Sequence, residues 1–278
     1  MSSLYTQPII ANARFREGAL GRVFINDLPF FQGYEKDGFS VNSGINHLLV
    51  PGDNEVAIEL LRAPSPRGGR LEFTPDPDPK MAGIDVNQSV EVTVFRERAP
   101  NTGDIEILCQ MMFPDIWKDI DEKVRRLPYR HVMTFNPQVS VPELAFLSAT
   151  PEVIPCEGTR ELQTAVRELH QTFVDKDKQR AAAVMKLQMS EYARANGNDH
   201  GSSLSEQLSA LDTLFAEPLV VAPLQPEQLH FIGRAGGKVV HVERTNGEPV
   251  IDVKTIGKPQ GHASDPVFTR LDGRWQLM

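Results

Sequence analysis

The chain is poor in the residues that build the commonest sites. Two cysteines in 278 residues exclude a disulfide framework of the secreted kind, and they form no Cys-x-x-Cys pair. No stretch approaches the roughly 20 apolar residues of a membrane span, and residues 1–10 carry neither a basic segment nor an apolar run of signal-peptide length. The reading is a cytoplasmic protein with no membrane partner. Basic residues are outnumbered, 29 Lys and Arg against 37 Asp and Glu, for a net charge of -8. Residues 1–157 hold 15 basic against 22 acidic side chains and residues 158–278 hold 14 against 15. An acidic first half repels phosphate backbones, so nucleic acid is set aside as a partner. The seven histidines, at 47, 131, 170, 200, 230, 241 and 262, contain no His-x-x-x-His pair for zinc. A nucleophile elbow, a dinucleotide glycine pattern, internal repeats and heptads are all missing. No metal and no cofactor is expected, and no catalytic residue is assigned.

What is there is architecture. With 40% hydrophobic residues the chain can bury a sizeable core, and its length suits two domains. The hydrophobic period switches near Pro155: alternating strands dominate before it, helices and then hairpins after it. The expectation is an α+β protein of two domains. Residues 1–157 form a mainly-β sandwich, and residues 158–278 form three helices packed on an antiparallel meander.

In the first half, 22–25 and 54–60 read as half-buried strands, the former meeting a turn at Asn26 and Asp27. Val90, Val92 and Val94 alternate strictly. Ile105, Ile107, Cys109 and Met111 are expected on one strand face, with Cys109 a buried, inert thiol; Cys156 falls in the linker. Residues 63–79 are Pro-stiffened, and Asp76 and Asp78 there lack the further ligands and central Gly of a calcium loop. Residues 114–127 read as an amphipathic helix with Ile116, Ile120, Val124 and Leu127 on one stripe. Its early acids and late bases complement the helix dipole without catalysis. Trp117, next to that stripe, is either a partner-facing aromatic or a residue buried at its edge.

In the second half, Thr159 caps a helix to about 175 with Leu162, Val166, Leu169 and Phe173 inside. A second helix spans 179–196 and a third starts at Ser203 or Ser205. Strands follow at 228–233, 238–244, 249–255, 266–270 and 274–278, with turns at Gly236-Gly237, Asn246-Gly247 and Asp272-Gly273. Alternation separates an apolar set (Val240, Val242, Ile251, Val253, Phe268, Trp275, Leu277) from a polar set (His241, Glu243, Asp252, Lys254, Thr269, Gln276). The polar set is expected to face solvent or a partner. The Asp, His and Ser of loop 198–203 and the glycines of 233–238 read as a polar inter-helix loop and a hairpin turn, since neither has the spacing or setting of a triad or a phosphate loop.

Two stretches resemble known families. The segment Ile45-Asn-His-Leu-Leu-Val-Pro-Gly-Asp-Asn54 resembles the turn before a strand in the jelly-roll modules of the galactose-binding-like superfamily. That resemblance covers about the first 100 residues and implies a fold and no particular ligand. The order of helices then curved sheet, closing on Val-Phe-Thr-Arg-Leu-Asp-Gly-Arg-Trp-Gln-Leu, resembles the nuclear transport factor 2-like superfamily over residues 160–278. This second resemblance implies a pocket between helices and sheet, used across that superfamily for catalysis, binding or dimerisation.

Three functions are therefore distinguished. The first is non-catalytic recognition of a protein partner, as an adaptor or immunity-type protein, with Trp117, Phe30, Phe31 and Tyr34 as candidate contacts and a homodimer through the C-terminal sheet. The second is a small-ligand site or enzyme in the C-terminal pocket, with Tyr192, His230, Arg244 and Arg270 able to enter it. The third is carbohydrate binding by the first domain, which needs an aromatic platform at its loop ends.

Overall fold

Alternating apolar residues in the first half give strands that pair antiparallel throughout. The computed structural model describes residues 8–15, 21–33, 39–60, 90–98, 103–113, 115–118, 129–154, 159–198, 200–245, 248–257 and 261–278. The protein is α+β, and its chain divides into two units, Met1–Glu143 and Leu144–Met278. The described part of the first unit holds β1 (Ile9–Phe15), β2 (Gly21–Ile25), β3 (Leu28–Gly33), β4 (Phe39–Gly44), β5 (Asn54–Leu60), β6 (Val90–Glu97), β7 (Ile105–Met112), α1 (Asp115–Lys118) and β8 (Tyr129–Phe135). These strands form two four-stranded sheets, β4-β1-β6-β7 and β3-β2-β5-β8.

The inner faces of both sheets build one core. Ile9, Ala11, Ala13 and Phe15 of β1 and Val90, Val92 and Val94 of β6 meet Val23, Ile25, Val56, Ile58 and Leu60 of β2 and β5 in a single buried cluster. Each such aliphatic or aromatic side chain contributes roughly 1.5–3 kcal/mol on burial. The turn before β5 is held by side-chain amides. Asn54, fully buried, donates to the carbonyls of Val50 and Gly52 at 2.9 Å and accepts from the Val50 amide and from Asn26 Nδ2 at 2.8 Å. Asn26 Nδ2 also donates to the Leu48 carbonyl, while Asn26 Oδ1 accepts from the Glu55 amide. Asn46 Oδ1 accepts from the Ile9 amide. Residues 45–54 thus act as a loop clamp, and Gly52, at φ 86°, supplies the left-handed position the turn needs.

The second unit begins earlier than the period switch implies. Residues 144–154 belong to it, because their polar groups are taken up there. The Ala145 amide donates to Glu191, Lys238 Nζ donates to the Leu147 carbonyl, and the Glu152 amide donates to the Gly237 carbonyl. Leu144, Phe146 and Ala149 are buried. The helices are α2 (Thr159–Val174), α3 (Lys178–Val184), α4 (Lys186–Ala195) and α5 (His200–Ala216). The single helix expected over 179–196 is broken at Met185, which leaves helical geometry at φ -87° and ψ 5°. Asp177 caps α3 by accepting from the Arg180 amide.

The strands are β9 (Leu219–Val221), β10 (Leu229–Arg234), β11 (Val239–Arg244), β12 (Ile251–Thr255), β13 (Gly261–Ser264), β14 (Val267–Leu271) and β15 (Arg274–Leu277). They do not form one meander. The sheet β10-β11-β14-β15 omits β12, which pairs instead with β13 and β9. The Val250 amide is held by Asp265 and the Val250 carbonyl by Arg244, and this turns the chain out of the first sheet. The apolar set does face the helices: Val240, Val242, Ile251, Val253, Phe268 and Leu277 cluster with Leu162, Val166, Leu169 and Phe173.

The polar set departs from expectation at its centre. His241, Glu243 and Thr269 are buried rather than solvent-facing, and every residue of β11 is buried. Thr269 Oγ1 donates to the Lys238 carbonyl, while His241 Nδ1 and Glu243 Oε1 lie 3.1 Å apart without hydrogen-bond geometry. The 3₁₀ turn Ala145–Ser148 lies against β14. The sheet face assigned from sequence to a homodimer is therefore closed at its central strand. Among the described residues no helix is long and apolar enough to cross a membrane.

Candidate interaction face

A β-bulge decides which side chains the first unit presents. Val94 pairs with Cys109 and Phe95 with Ile107, so Leu108 is an extra residue in β7. Cys109 and Met111 point into the core, as their spacing predicts, and burial raises the Cys109 thiol pKa. Beyond the bulge the parity flips. Ile105 and Ile107, expected on the same buried face, are instead 44% and 53% exposed. Leu108 takes the inward place, packed against the core.

The flip assembles an apolar row on the outer face of sheet β4-β1-β6-β7. Gly44 pairs with Ile10, Ile10 with Phe95, and Phe95 with Ile107. Ile10 and Phe95 are partly buried, while Ile107, at the sheet edge, is the most open. Ile105 follows Ile107 on the same face, opposite Glu97. Next to this row lies a polar one, Asn42, Asn12, Thr93 and Gln110, in register across the four strands. Gln110 Nε2 and Thr93 Oγ1 both donate to Glu91 Oε1, at 3.1 and 3.4 Å.

Charge around β7 is acidic. Arg96 Nε and Nη2 reach one oxygen of Glu106 at 2.9 and 2.7 Å, and Arg98 lies 3.7 Å from the same oxygen and 3.8 Å from Asp104. The hydrogen bond from Arg96 leads the causes that lower the Glu106 pKa. Both guanidiniums are thus matched by carboxylates, and Glu91 and Glu97 lie on the neighbouring β6. Among the described residues the carboxylates around β7 outnumber Arg14, Arg96 and Arg98.

On the same unit, Met112 of β7 and Val132 and Met133 of β8 are also exposed. A cleft of about 290 Å³ is lined by Gln110, Met111, Met112, Asp115, Ile116 and Met133. Phe113 meets Tyr129 edge-on at 6.2 Å, and Tyr129 lies nearly parallel to His131 at 6.4 Å. Burial raises the Tyr129 pKa and lowers that of His131.

The residues assigned from sequence to a C-terminal pocket do not converge. Tyr192 on α4 is 41% exposed. His230 is exposed on β10 and shares parity with Glu243, so it lies on the sheet face opposite Arg244. Arg244 is buried at one end of β11, where Nη2 donates to the carbonyls of Pro223 and Val250 at 3.1 Å. Arg270 sits at the other end of the sheet, ion-paired with Glu152 and Glu161 at 3.1 and 3.0 Å and placed over Trp275. Between them lies the apolar cluster that Val240, Val242 and Phe268 form with Leu162, Val166 and Leu169.

Two histidines that sequence reading passed over do enter this region. His170 Nε2 lies 2.8 Å from the Ala222 carbonyl. His262 stacks on Phe173 at 5.3 Å with Nε2 3.0 Å from Ser264 Oγ, and burial lowers its pKa. His170 had a usable signal, since it follows Val166 by four on the buried stripe of α2. His262 had none, because β13 is four residues of mixed character.

In the first unit, Phe30 and Phe31 pack against the core instead of forming a platform at the loops. Trp117 belongs to α1, but its side chain, Tyr34, Cys156, Asp76, Asp78 and most of the helix expected over 114–127 lie outside the described residues. Among the described residues no three His, Cys, Asp or Glu side chains gather as metal ligands would. No protein-family model, curated protein or solved structure matches the chain.

Proposed function

We propose that this is a non-catalytic binding protein that recognises a protein partner, with the outer face of sheet β4-β1-β6-β7 as its contact surface. One observation carries the reading: the bulge at Leu108 turns Ile107 and Ile105 toward solvent, where Ile107 continues the outer-face row of Ile10 and Phe95. Partly exposed apolar residues in register across a sheet, rimmed by amides and carboxylates, have the make-up of a recognition patch. The separate engagements of Arg244 and Arg270 weaken the pocket and enzyme reading, and the inward packing of Phe30 and Phe31 weakens the carbohydrate reading. An adaptor or an immunity-type role, in which an acidic surface meets a basic target, suits the charge.

The test is affinity capture at native expression, run in parallel with the wild type and an Ile105→Lys/Ile107→Lys variant. A specific protein held by the wild type and lost by the variant supports the proposal. Recovery of no specific protein by the wild type, or equal recovery by both, contradicts it.

A further inference from the structure

We infer that two copies of this chain meet through the outer face of the small sheet β13-β12-β9, about a two-fold axis that runs across its strands. The inference does not rest on the contact face of the first unit. The inner side of this sheet is spent on the core: Leu219, Val221, Ile251 and Val253 lie in or against the apolar cluster, and His262 stacks on Phe173. Residues of the opposite parity face solvent. Val220 is 53% and Ile256 60% exposed, and Pro218, Lys254, Gly261 and Ala263 are exposed with them. Sheet β10-β11-β14-β15 differs, since every residue of its strand β11 is buried.

Register turns the open residues into a grid. Val220, Lys254 and Gly261 lie side by side in one row. In the next row Asp252 stands opposite Ala263, and its carbonyl accepts from the Ala222 amide. Pro218 and Ile256, joined by a backbone hydrogen bond, add apolar area at one end. Lys254 Nζ and Asp252 Oδ2 are 3.1 Å apart, so the middle strand carries one cation and one anion in successive rows.

A closed dimer needs a self-complementary patch, in which residue i meets j and j meets i. An axis lying between these two rows supplies it. Lys254 of each copy is set over Asp252 of the other, Val220 over Ala222 and Gly261 over Ala263. Each charge keeps its own partner and gains one, and the valine meets a small residue. The charge of the whole sequence permits the contact. Residues 158–278 hold 14 basic against 15 acidic side chains, whereas residues 1–157 hold 15 against 22. Copies that meet through the second unit therefore avoid the repulsion that opposes contact between first halves. A face three strands wide lies at the low end of specific interfaces, about 1,000 Å² in total, so the dimer is expected to be half-formed at about 10–100 μM.

The experiment is sedimentation velocity on the full-length protein over about 1–300 μM. The wild type is expected to pass from monomer to dimer across that range. Lys254→Asp and Asp252→Lys are each expected to raise the midpoint at least about tenfold, because each puts like charges face to face. An equal mixture of the two variants is expected to associate again, since one then presents two acids to the other's two bases. Ile107→Lys is expected to leave the midpoint unchanged. Position 254 is exposed, so Lys254→Asp decides the matter by itself should Asp252→Lys fail to fold. A wild type that stays monomeric, a midpoint indifferent to Lys254→Asp, a mixture of folded variants that does not associate, or a dimer lost in Ile107→Lys overturns the inference. Capture of a protein partner by the first unit is a separate result, and its failure leaves this inference standing.

Discussion

Replacing Asn54 by alanine removes four hydrogen bonds at one fully buried side chain. A typical intramolecular hydrogen bond contributes about 1 kcal/mol net, and a buried group left without a partner costs about 1–3 kcal/mol. Gly52 is exposed, so its carbonyl can turn to water and its share is recovered. The Val50 amide, the Val50 carbonyl and Asn26 Nδ2 remain, giving an expected loss of about 3 kcal/mol. Asn54→Asp sharpens the test. It keeps the acceptor for the Val50 amide and Asn26 but sets a carboxylate against the Val50 and Gly52 carbonyls, so at neutral pH it is expected to be at least as damaging as alanine. In a Trp275→Phe background Trp117 is the sole tryptophan, and urea unfolding followed by its fluorescence reports the first unit. A loss below about 1 kcal/mol for Asn54→Ala, or an Asn54→Asp variant as stable as wild type, refutes the clamp.

His47, beside Asn46, has a buried Nδ1 and a pKa lowered by desolvation from 6.5 to about 4. The unfolded chain therefore takes up a proton as pH falls below 6.5, while the folded chain resists until about 4. The His47 contribution is expected to fall by up to about 3 kcal/mol across that window and to level off below it, and His47→Gln should remove that part of the slope in a pH series of urea melts. Gly237, at φ 86° with the Glu152 carbonyl 2.8 Å from where a Cβ would stand, and Gly236, at φ 65° with nothing near, separate strain from crowding. Gly237→Ala is expected to cost about 2 kcal/mol or more and Gly236→Ala about 1 kcal/mol, measured by thermal melts. A fragment of residues 144–278 is expected to melt cooperatively, whereas 158–278, lacking Leu144, Phe146 and Glu152, should not; equal melts would return the boundary to 157. Because Ile105 and Ile107 are exposed, their replacement by Lys is expected to change stability by less than about 0.5 kcal/mol.

Local signals survived folding wherever a residue's neighbours in sequence are also its neighbours in space. Asn26 and Asp27 adopt the positive φ that their turn chemistry predicts, as do Asp272 and Gly273. The stripe Leu162, Val166, Leu169 and Phe173 is the buried face of α2. What was illegible depended on partners far along the chain. One inserted residue, Leu108, moved Ile105 and Ile107 from the core to the surface, and nothing in the sequence of β7 marks a bulge. β12 left the expected meander for β9 and β13, strands of three and four residues too short to show a period. His241, Glu243 and Thr269 alternate like a solvated face, yet are buried. The candidate face was hidden for the first of these reasons: an isoleucine at the expected core parity reads as core.

The central claim is that the outer face of β4-β1-β6-β7 meets a protein partner, and a photo-crosslinking amino acid placed at Ile107 in the expressing cell tests it most directly. The account predicts a discrete crosslink to a single other protein from position 107 and none from His230, which is exposed on the second unit. A crosslink from 230 with none from 107, or crosslinks from neither, contradicts it.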